Sequence, residues 1–237
     1  MAAVMINLEC LTNMHVGNGD VNFNVIDNEV ERDVVTGYPT INASGVKGAL
    51  REYFVKKGVD ATEIKKIFGD SEPGKLRFLN ADMIAIPVRA SAGSASYYLV
   101  STVEAVAKYE EKCALFLGQD VKCASAAVTE TRQVEGYGVK EAVTIPDKEV
   151  HLLPDKDFRK ISLPVLARNK LDNGKSVNLW YEEVVPHKSL FSFVVLAEDS
   201  DKEWLDRFVS VVDNQIVQFG GNASIGYGLC KVTVTEG

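Results

Sequence analysis

The order strand–helix–strand occurs twice in the hydrophobic pattern of this chain, and that repetition narrows the possible folds. In the first half, residues 4–11 alternate between apolar and polar side chains, as in a half-buried strand. A helical pattern then runs from Ser44 to a stop at Gly58, with strand-like runs at 76–79 and 97–102 after it. The helix is marked by apolar residues four positions apart: Val46, Leu50 and Phe54.

The second half repeats this order, with a strand pattern over residues 190–196. Ser200 and Glu203 have the spacing of a capping box at a helix start, and a glycine-rich turn at 220–228 leads into a strand pattern at 229–234. The helix presents one apolar stripe: Trp204, Leu205, Phe208, Val211, Val212 and Ile216. The two units predict an α+β fold of the split βαβ, ferredoxin-like type, with antiparallel pairing.

The middle of the chain fits this core poorly. It contains a helix-like piece at Val103–Leu117 and a hairpin signal, Asp-Asn-Gly at 172–174, between strand patterns at 165–171 and 175–181. We therefore expect an insertion that projects from the core. The predicted division of the single domain 1–237 is a core of 1–103 and 189–237 with an insertion of about 104–188.

Composition sets limits on the class of protein. The 237 residues are 46% hydrophobic, which is enough for an ordinary globular core. No apolar run approaches the roughly 20 residues of a membrane span, and residues 1–10 lack the basic region of a secretory signal. The four cysteines form no CxxC pair, so buried reduced thiols are expected rather than disulfides or zinc ligands. A cytoplasmic location follows as an expectation.

The net charge of −7 argues against a free-standing, sequence-indifferent nucleic-acid binder. The charges are unevenly distributed, however: basic residues concentrate at 47–66, and acidic residues dominate 134–158 and 198–206. One face of the protein can therefore be basic and another acidic. Such asymmetry suits head-to-tail contacts between copies of the chain.

The first helix start has the parts of a phosphate-binding site. Ser44 is the expected N-cap, and Gly45 and Gly48 would allow an anion to approach the backbone closely. Lys47 and Arg51 are four residues apart, so both side chains can reach the same anion. The alternative is an ordinary capped surface helix with two solvated cations.

His15 and Asp27 are the candidate reactive groups, and each has a plainer interpretation. A single histidine after a strand is more often structural, and an aspartate in a polar loop is usually only solvated. The glycine-rich turn, with Gly226 and Gly228, lacks the Lys-Ser/Thr of a P-loop and precedes a strand, so it is not a nucleotide fingerprint. No hydrolase triad, HExxH helix or Cys/His zinc cluster is recognisable.

The order of these pieces carries more information than any one of them. The chain contains H-V-G-N-G, V-I-D-x-x-V-E-R-D-x-x-T-G-Y-P, S-G-V-K-G-A-L-R and a late G-G-x-x-x-x-G-Y-G. This ordered set resembles the RAMP superfamily of CRISPR proteins. The further segments I-F-G, P-V-R-A-S-A-G, R-N-K-L-D and L-W-Y-E-E-V-V-P narrow the resemblance to the repeated backbone subunit of the type III-B (Cmr) effector complex.

The resemblance implies a ferredoxin-like, RNA-recognition-like palm with inserted segments and a projecting β-hairpin thumb. It implies that copies of the subunit line a guide RNA beside other Cmr subunits, that each thumb displaces a nucleotide of the guide–target duplex, and that target RNA is cut at regular intervals. Cleavage would use a loop aspartate, Asp27, and a divalent metal such as Mg²⁺. His15 would contact RNA or aid proton transfer.

The same resemblance assigns the guide backbone to Lys47, Arg51 and the glycines near 226–228, and the thumb to residues 168–181, with Arg168 as an RNA-binding residue. Two alternatives stay open. The chain could be a guide-binding scaffold without catalytic activity, or the type III-A counterpart of this subunit. A small-molecule α+β enzyme that never binds RNA is a third hypothesis, from a different class.

Overall fold

The computed structural model describes residues 1–19 and 25–237; residues 20–24, within the motif region that begins at His15, lie outside this description. The strands are β1 (Ala2–Cys10), β2 (Thr40–Ile41), β3 (Leu76–Phe78), β4 (Ala81–Ala92), β5 (Tyr97–Ser101), β6 (Ala126–Val134), β7 (Tyr137–Ile145), β8 (Lys148–Leu152), β9 (Val165–Asp172), β10 (Lys175–Glu183), β11 (Leu190–Ala197), β12 (Ile216–Gln218) and β13 (Leu229–Glu236). The helices are α1 (Ala43–Lys56), α2 (Ala61–Phe68), α3 (Val103–Leu117), α4 (Asp155–Phe158) and α5 (Lys202–Val212), with 3₁₀ turns at Asp199–Asp201 and Ala223–Ile225.

The centre of the molecule is a mixed α+β core around one large sheet. Its central strands lie in the order β13-β1-β11-β4, and every neighbouring pair is antiparallel. Three of these four strands, β1, β11 and β13, are predicted from the sequence, and β4 is not; β1 is flanked by β11 and β13, the first and last strands of the second predicted unit. The expected antiparallel pairing is confirmed for these four strands, whereas β5 and β8, farther along the sheet, pair in parallel.

Helices cover both faces of this sheet. On one face α1, α2 and α5 pack against the even-numbered residues of β1. Their contact is an aromatic cluster in which Phe54 stacks on Phe208 at 5.8 Å and meets Phe68 edge-on at 5.0 Å. On the other face α3 covers Met5 and its neighbours on β4 and β11. Burial of these side chains supplies most of the driving force for folding.

The sheet continues beyond β4 through β5, β8, β7 and β6. β6 then pairs back onto β4 near Ala90, so these five strands form a closed ring. Within the segment 104–188, β6–β8 therefore extend the main sheet rather than project from it. Only β9 and β10 form a separate two-stranded hairpin, joined by the Asp-Asn-Gly turn that the sequence predicts.

Two predicted helix caps are wrong. α1 begins at Ala43 and has Asn42 as its N-cap, so Ser44 lies inside the first turn. The reason is the preceding strand: β2 pairs with β4 up to Ile41, and the chain turns immediately afterwards. α5 begins at Lys202 without a side-chain cap, because residues 199–201 form a 3₁₀ turn in place of the Ser200–Glu203 box.

Other boundaries differ less. α5 ends at Val212, so Ile216 belongs to β12 and not to the apolar stripe of the helix. The longest strand, β4, lies where polar and apolar residues do not alternate, since most of Ala81–Val88 is buried on both faces. All four cysteines are free thiols, as expected. None of the helices within the described residues combines the length and apolar composition of a membrane span.

Candidate nucleic-acid interface

Three segments that are far apart in sequence meet at one end of the central sheet. They are the loop 13–19 and 25–32, the base of the hairpin at 181–185, and the glycine-rich turn 219–228. Met14 and Val185 exchange two backbone hydrogen bonds of 2.8 Å. The N–H groups of Gly221 and Gly228 donate to the carbonyls of His15 and Asn13, at 2.9 and 2.8 Å. We call this junction the three-segment site.

The glycine-rich turn requires its glycines because the backbones approach too closely for a side chain. A Cβ on Gly228 would lie 1.8 Å from the carbonyl oxygen of Phe219, and one on Gly220 would lie 2.3 Å from that of His15. Both residues also have positive φ angles, +72° and +76°, which favour glycine. The backbone of the glycine-rich turn therefore packs directly against the backbone of the loop that carries His15.

His15 is a buried member of this site, with 9% of its surface exposed. Its Nδ1 lies 2.7 Å from the carbonyl oxygen of Glu183. Because a carbonyl can only accept, Nδ1 carries a proton and donates it to this bond, and the tautomer that fits the bond has Nε2 as its acceptor nitrogen. Nε2 faces Gly17, where an added Cβ would come within 3.0 Å of it. The ring is thus held in one tautomer by the base of the hairpin.

Asp27 is half-buried and bound to the same strand. Its Oδ2 accepts a hydrogen bond of 2.8 Å from the backbone N–H of Tyr181. Its own N–H donates to the Tyr181 carbonyl at 3.0 Å. These two bonds fix the carboxylate at the point where the hairpin leaves the core. No hydrogen bond to Oδ1 is found within the described residues, so that oxygen remains available to a ligand.

Two buried glutamates complete the site, and sequence reasoning missed both. Glu183, 6% exposed, accepts from the N–H of Val30 at 3.1 Å and pairs with Arg32 at 2.6 Å. Glu182, 4% exposed, accepts from Arg168 at 3.1 Å and from the amide of Asn222 at 2.8 Å. In the sequence, two adjacent acids at the end of a hairpin look like ordinary solvent-exposed residues. Their burial is explained by partners from distant segments, such as Arg32 and Asn222.

Arg168 lies on β9 directly opposite Trp180 on β10. Its guanidinium is 5.8 Å from the Trp180 ring and 5.5 Å from the Tyr227 ring. With Glu182 as its anionic partner, Arg168 therefore links the hairpin to the glycine-rich turn. The structure brings this predicted residue together with His15, Asp27, Gly226 and Gly228.

The predicted residues of α1 lie elsewhere. Ser44, Gly45 and Gly48 are exposed in the first turns of the helix. Arg51 donates a 2.6 Å hydrogen bond to the carbonyl of Gly69, at the C-terminal end of α2. Among the described residues, no hydrogen bond or ion pair connects Lys47 or Arg51 to the three-segment site. The proposed phosphate contacts of this helix stay a prediction.

The donor set does not form a protein cage for a metal. Within residues 1–19 and 25–237, no group of three or more His, Cys, Asp or Glu side chains is placed to hold a metal ion. Mg²⁺, however, is commonly held by one or two carboxylates together with substrate phosphates and water. Asp27, one of whose oxygens has no hydrogen bond from the residues that the structure describes (1–19 and 25–237), fits an ion of that kind and not a preformed multidentate site.

Comparison with known proteins supplies relatives along the whole chain. The sequence profile of the RAMP superfamily matches residues 7–231. The chain is 26% identical to the CRISPR system Cmr endoribonuclease Cmr4 of Pyrococcus furiosus, with 100% of this chain and 97% of the relative covered. It is 32% identical to the CRISPR system CMR subunit Cmr4 of Saccharolobus solfataricus, over 43% of this chain and 35% of that protein.

Solved structures agree on the fold. A chain of the type III-B Cmr-beta complex bound to cognate target RNA superposes with a TM-score of 0.83 at 24% identity, covering 99% of this chain and 97% of that one. Oligomeric Cmr4 from Pyrococcus furiosus gives a TM-score of 0.76 at 23% identity, with coverage of 100% and 99%. Because the sequence profile of the RAMP superfamily matches nearly the entire length of the chain, the chain belongs to this superfamily.

Proposed function

We propose that this protein is the repeated backbone subunit of a type III-B CRISPR effector complex and that it cleaves target RNA complementary to the guide RNA. The full-length relative named as an endoribonuclease supports the activity. The observation that carries the proposal is the fixed position of Asp27, held by Tyr181 at the junction of three segments. Its partners would be guide RNA, target RNA, other Cmr subunits and further copies of itself, head to tail.

The architecture supports corresponding roles for the parts. The strand order β13-β1-β11-β4, with α1 and α5 on one face, supports the proposal of a ferredoxin-like, RNA-recognition-like palm. The separate hairpin β9–β10 would be the thumb, and its exposed apolar side chains, Val177 and Leu179, suit contact with nucleotides. We retain the division into a core of 1–103 and 189–237 and an insertion of 104–188 as part of the proposal.

Cleavage by attack of a ribose 2′-hydroxyl needs an in-line arrangement and neutralisation of phosphate charge. Asp27 would orient the reacting nucleotide from the base of the thumb, with Oδ1 toward the RNA, and would be the residue that holds Mg²⁺. When bound, Mg²⁺ would supply charge neutralisation at the phosphate. His15 is largely buried and held by Glu183, so its main role would be to shape the loop that carries Asp27.

One observation favours a second candidate function. Because Oδ2 of Asp27 binds a backbone N–H, the residue could serve only to anchor the hairpin in a guide-binding scaffold that does not cut RNA. The two functions differ in metal-dependent cleavage.

The test is target-RNA cleavage by the assembled guide complex in Mg²⁺ or EDTA. We expect regularly spaced fragments in Mg²⁺ from wild type and from Asp206→Ala, a matched loss of one exposed carboxylate on α5. Asp27→Ala should assemble and bind target RNA but yield no fragments. Intact RNA with the wild-type complex would favour the scaffold, and fragments with Asp27→Ala would remove Asp27 from the chemistry.

A further inference from the structure

A second cleft lies beside the three-segment site and takes no part in the function proposed above. It opens between the turn 36–39 and the chain that follows α4, at residues 158–163. Its volume is about 180 Å³, below the roughly 300–1,000 Å³ of sites that enclose a small ligand, so it is a shallow surface cleft that can take only part of a ligand. The residues that line it include Arg32, Tyr38, Phe158, Arg159 and Leu163.

Two arginines are held at this cleft by the same turn. Arg159 donates to the carbonyl of Thr36 at 2.9 Å, and Arg32 donates to the next carbonyl, that of Gly37, at 3.2 Å. Each guanidinium also has a carboxylate partner at 2.6 Å, Asp155 for Arg159 and Glu183 for Arg32. These bonds occupy two of the nitrogens on each guanidinium, and the side chains remain 48% and 40% exposed. N–H groups are therefore left for an anion such as a phosphate.

The floor between the arginines is apolar. Phe158 and Leu163 are buried there, and Phe158 meets the ring of Tyr38 edge-on at 5.1 Å. The Tyr38 hydroxyl is already engaged by Asp155 and Thr102. Burial and the Asp155 hydrogen bond raise the pKa of Tyr38 to about 12, so the hydroxyl stays protonated at neutral pH. The floor thus offers apolar contact to a planar ring but little means of distinguishing one nucleobase from another.

The cleft is joined to the three-segment site through one residue. Arg32 pairs with the Glu183 side chain, and the carbonyl of the same Glu183 is bound by His15. A phosphate bound to Arg32 would therefore be separated from His15 only by Glu183, which contacts both residues. An RNA strand crossing the three-segment site could extend into the cleft without leaving the protein surface.

We propose that this cleft binds one unpaired nucleotide of RNA, with its base on the apolar floor and its phosphate on Arg32 and Arg159. The inference rests on the proposed function, since it assumes that RNA crosses the adjacent site. The cleft has little means of distinguishing one base from another. This suits a protein whose sequence specificity would come from base pairing between guide and target. Phosphate contacts position the strand and carry no sequence information.

The first test is photo-crosslinking in the assembled complex, in EDTA so that cleavage is absent. A set of target and guide RNAs, each with a single 5-iodouridine, is irradiated, and the crosslinked peptides are identified by mass spectrometry. We expect at least one position to crosslink to the peptide containing Tyr38 or Phe158. Absence of adducts in residues 32–39 and 158–163 at all positions would overturn the proposal.

The second test is the salt dependence of target-RNA binding. Loss of one phosphate contact reduces the slope of log K against log salt concentration by about 0.7–0.9. Arg159→Gln should show this reduction. The control is Lys160→Gln, which removes the neighbouring positive charge: Lys160 is 59% exposed, is paired with Asp157 and does not line the cleft. Equal slopes for wild type and Arg159→Gln would contradict the proposal.

The two proposals can fail independently. If Asp27→Ala abolishes cleavage while no adduct forms in the cleft, the ribonuclease function stands and the nucleotide site falls. If the wild-type complex binds RNA with an adduct in the cleft but never cleaves, the nucleotide site stands and the ribonuclease function falls. A melting temperature for each variant complex identifies loss of folding, and the crosslinking result with wild-type protein does not depend on any substitution.

Discussion

The carboxylate of Asp27 accepts a 2.8 Å hydrogen bond from the backbone N–H of Tyr181, across 154 positions of sequence. This bond connects the loop that carries the candidate reactive group to the strand that forms the base of the hairpin. The position of the hairpin and that of the carboxylate are therefore coupled. A shift in the position of either one should therefore shift the other.

Replacement of Asp27 by asparagine separates its charge from its hydrogen bond. The asparagine oxygen can still accept from Tyr181, so we expect the hairpin to stay in place and the free energy of unfolding to change by less than about 1 kcal/mol. Cleavage should nevertheless fall strongly, because a neutral amide oxygen binds a divalent ion much more weakly than a carboxylate does. Urea unfolding and target cleavage by the assembled complex measure the two effects. Full cleavage by Asp27→Asn would show that the charge is not needed.

Removal of Glu182 should loosen the link between the hairpin and the glycine-rich turn. Glu182→Ala leaves Arg168 and Asn222 without their shared acceptor, and we expect a loss of about 1–3 kcal/mol in the free energy of unfolding. The control is Glu198→Ala, which breaks an exposed pair with Arg77 and should cost at most about 1 kcal/mol. Equal losses in urea unfolding would indicate that the buried network adds nothing to stability.

Gly228 and Gly226 form a matched pair for testing the close approach of the turn to Phe219. Both have positive φ angles, +72° and +81°, but only at Gly228 would a Cβ collide with another atom. Gly226→Ala should cost about 1–2 kcal/mol, the strain of a left-handed alanine. Gly228→Ala should cost distinctly more, since the backbone must also move. Thermal or urea unfolding of the two variants checks the order, and equal costs would contradict the predicted collision.

His151 makes stability depend on pH. It is buried beside Arg132, Glu149 and the carbonyl of Leu99. Burial is the main cause that lowers its pKa from the ordinary 6.5, the Arg132 charge adds to this, and the Leu99 carbonyl and Glu149 oppose it. The unfolded chain then binds the proton more readily than the folded protein. The stabilisation is present above pH 6.5 and declines as the pH falls below it.

We expect the free energy of unfolding of the wild type to decrease between pH 6.5 and 5, by at most about 1.4 kcal/mol per pH unit from this one group. His151→Gln should show a smaller decrease over the same range. Urea unfolding at several pH values measures both proteins. The same pH dependence in the two would assign the effect to other residues, such as the carboxylates with lowered pKa, whose protonation begins at lower pH.

Much of the local structure could be predicted because it depends on near neighbours. The helix at Val103–Leu117 has the predicted bounds. The Asp-Asn-Gly turn gives a two-residue hairpin with positive φ at Asn173 and Gly174, as that sequence favours. Prediction failed at the helix starts, since the point at which β2 ends, and not the best capping residue, decides where α1 begins.

The site was only partly predictable. The motif order singled out His15, Asp27, Arg168, Gly226 and Gly228, which the fold brings to one junction. Nothing in the local sequence distinguishes Glu182 and Glu183 from solvated acids, and nothing indicates that Arg51 binds the carbonyl of Gly69.

The sequence by itself determined the strands β1, β11 and β13, the helices α1, α3 and α5, the hairpin and its turn, and the glycines that two close backbone contacts require. These follow from side-chain periodicity and from the φ angles that each residue type allows. The tertiary structure alone decided that β6 returns to β4, that two glutamates are buried, and that Tyr181 holds Asp27. Each of these depends on at least one partner 40 or more residues away, because burial and charge pairing are set by which surfaces meet when the chain folds.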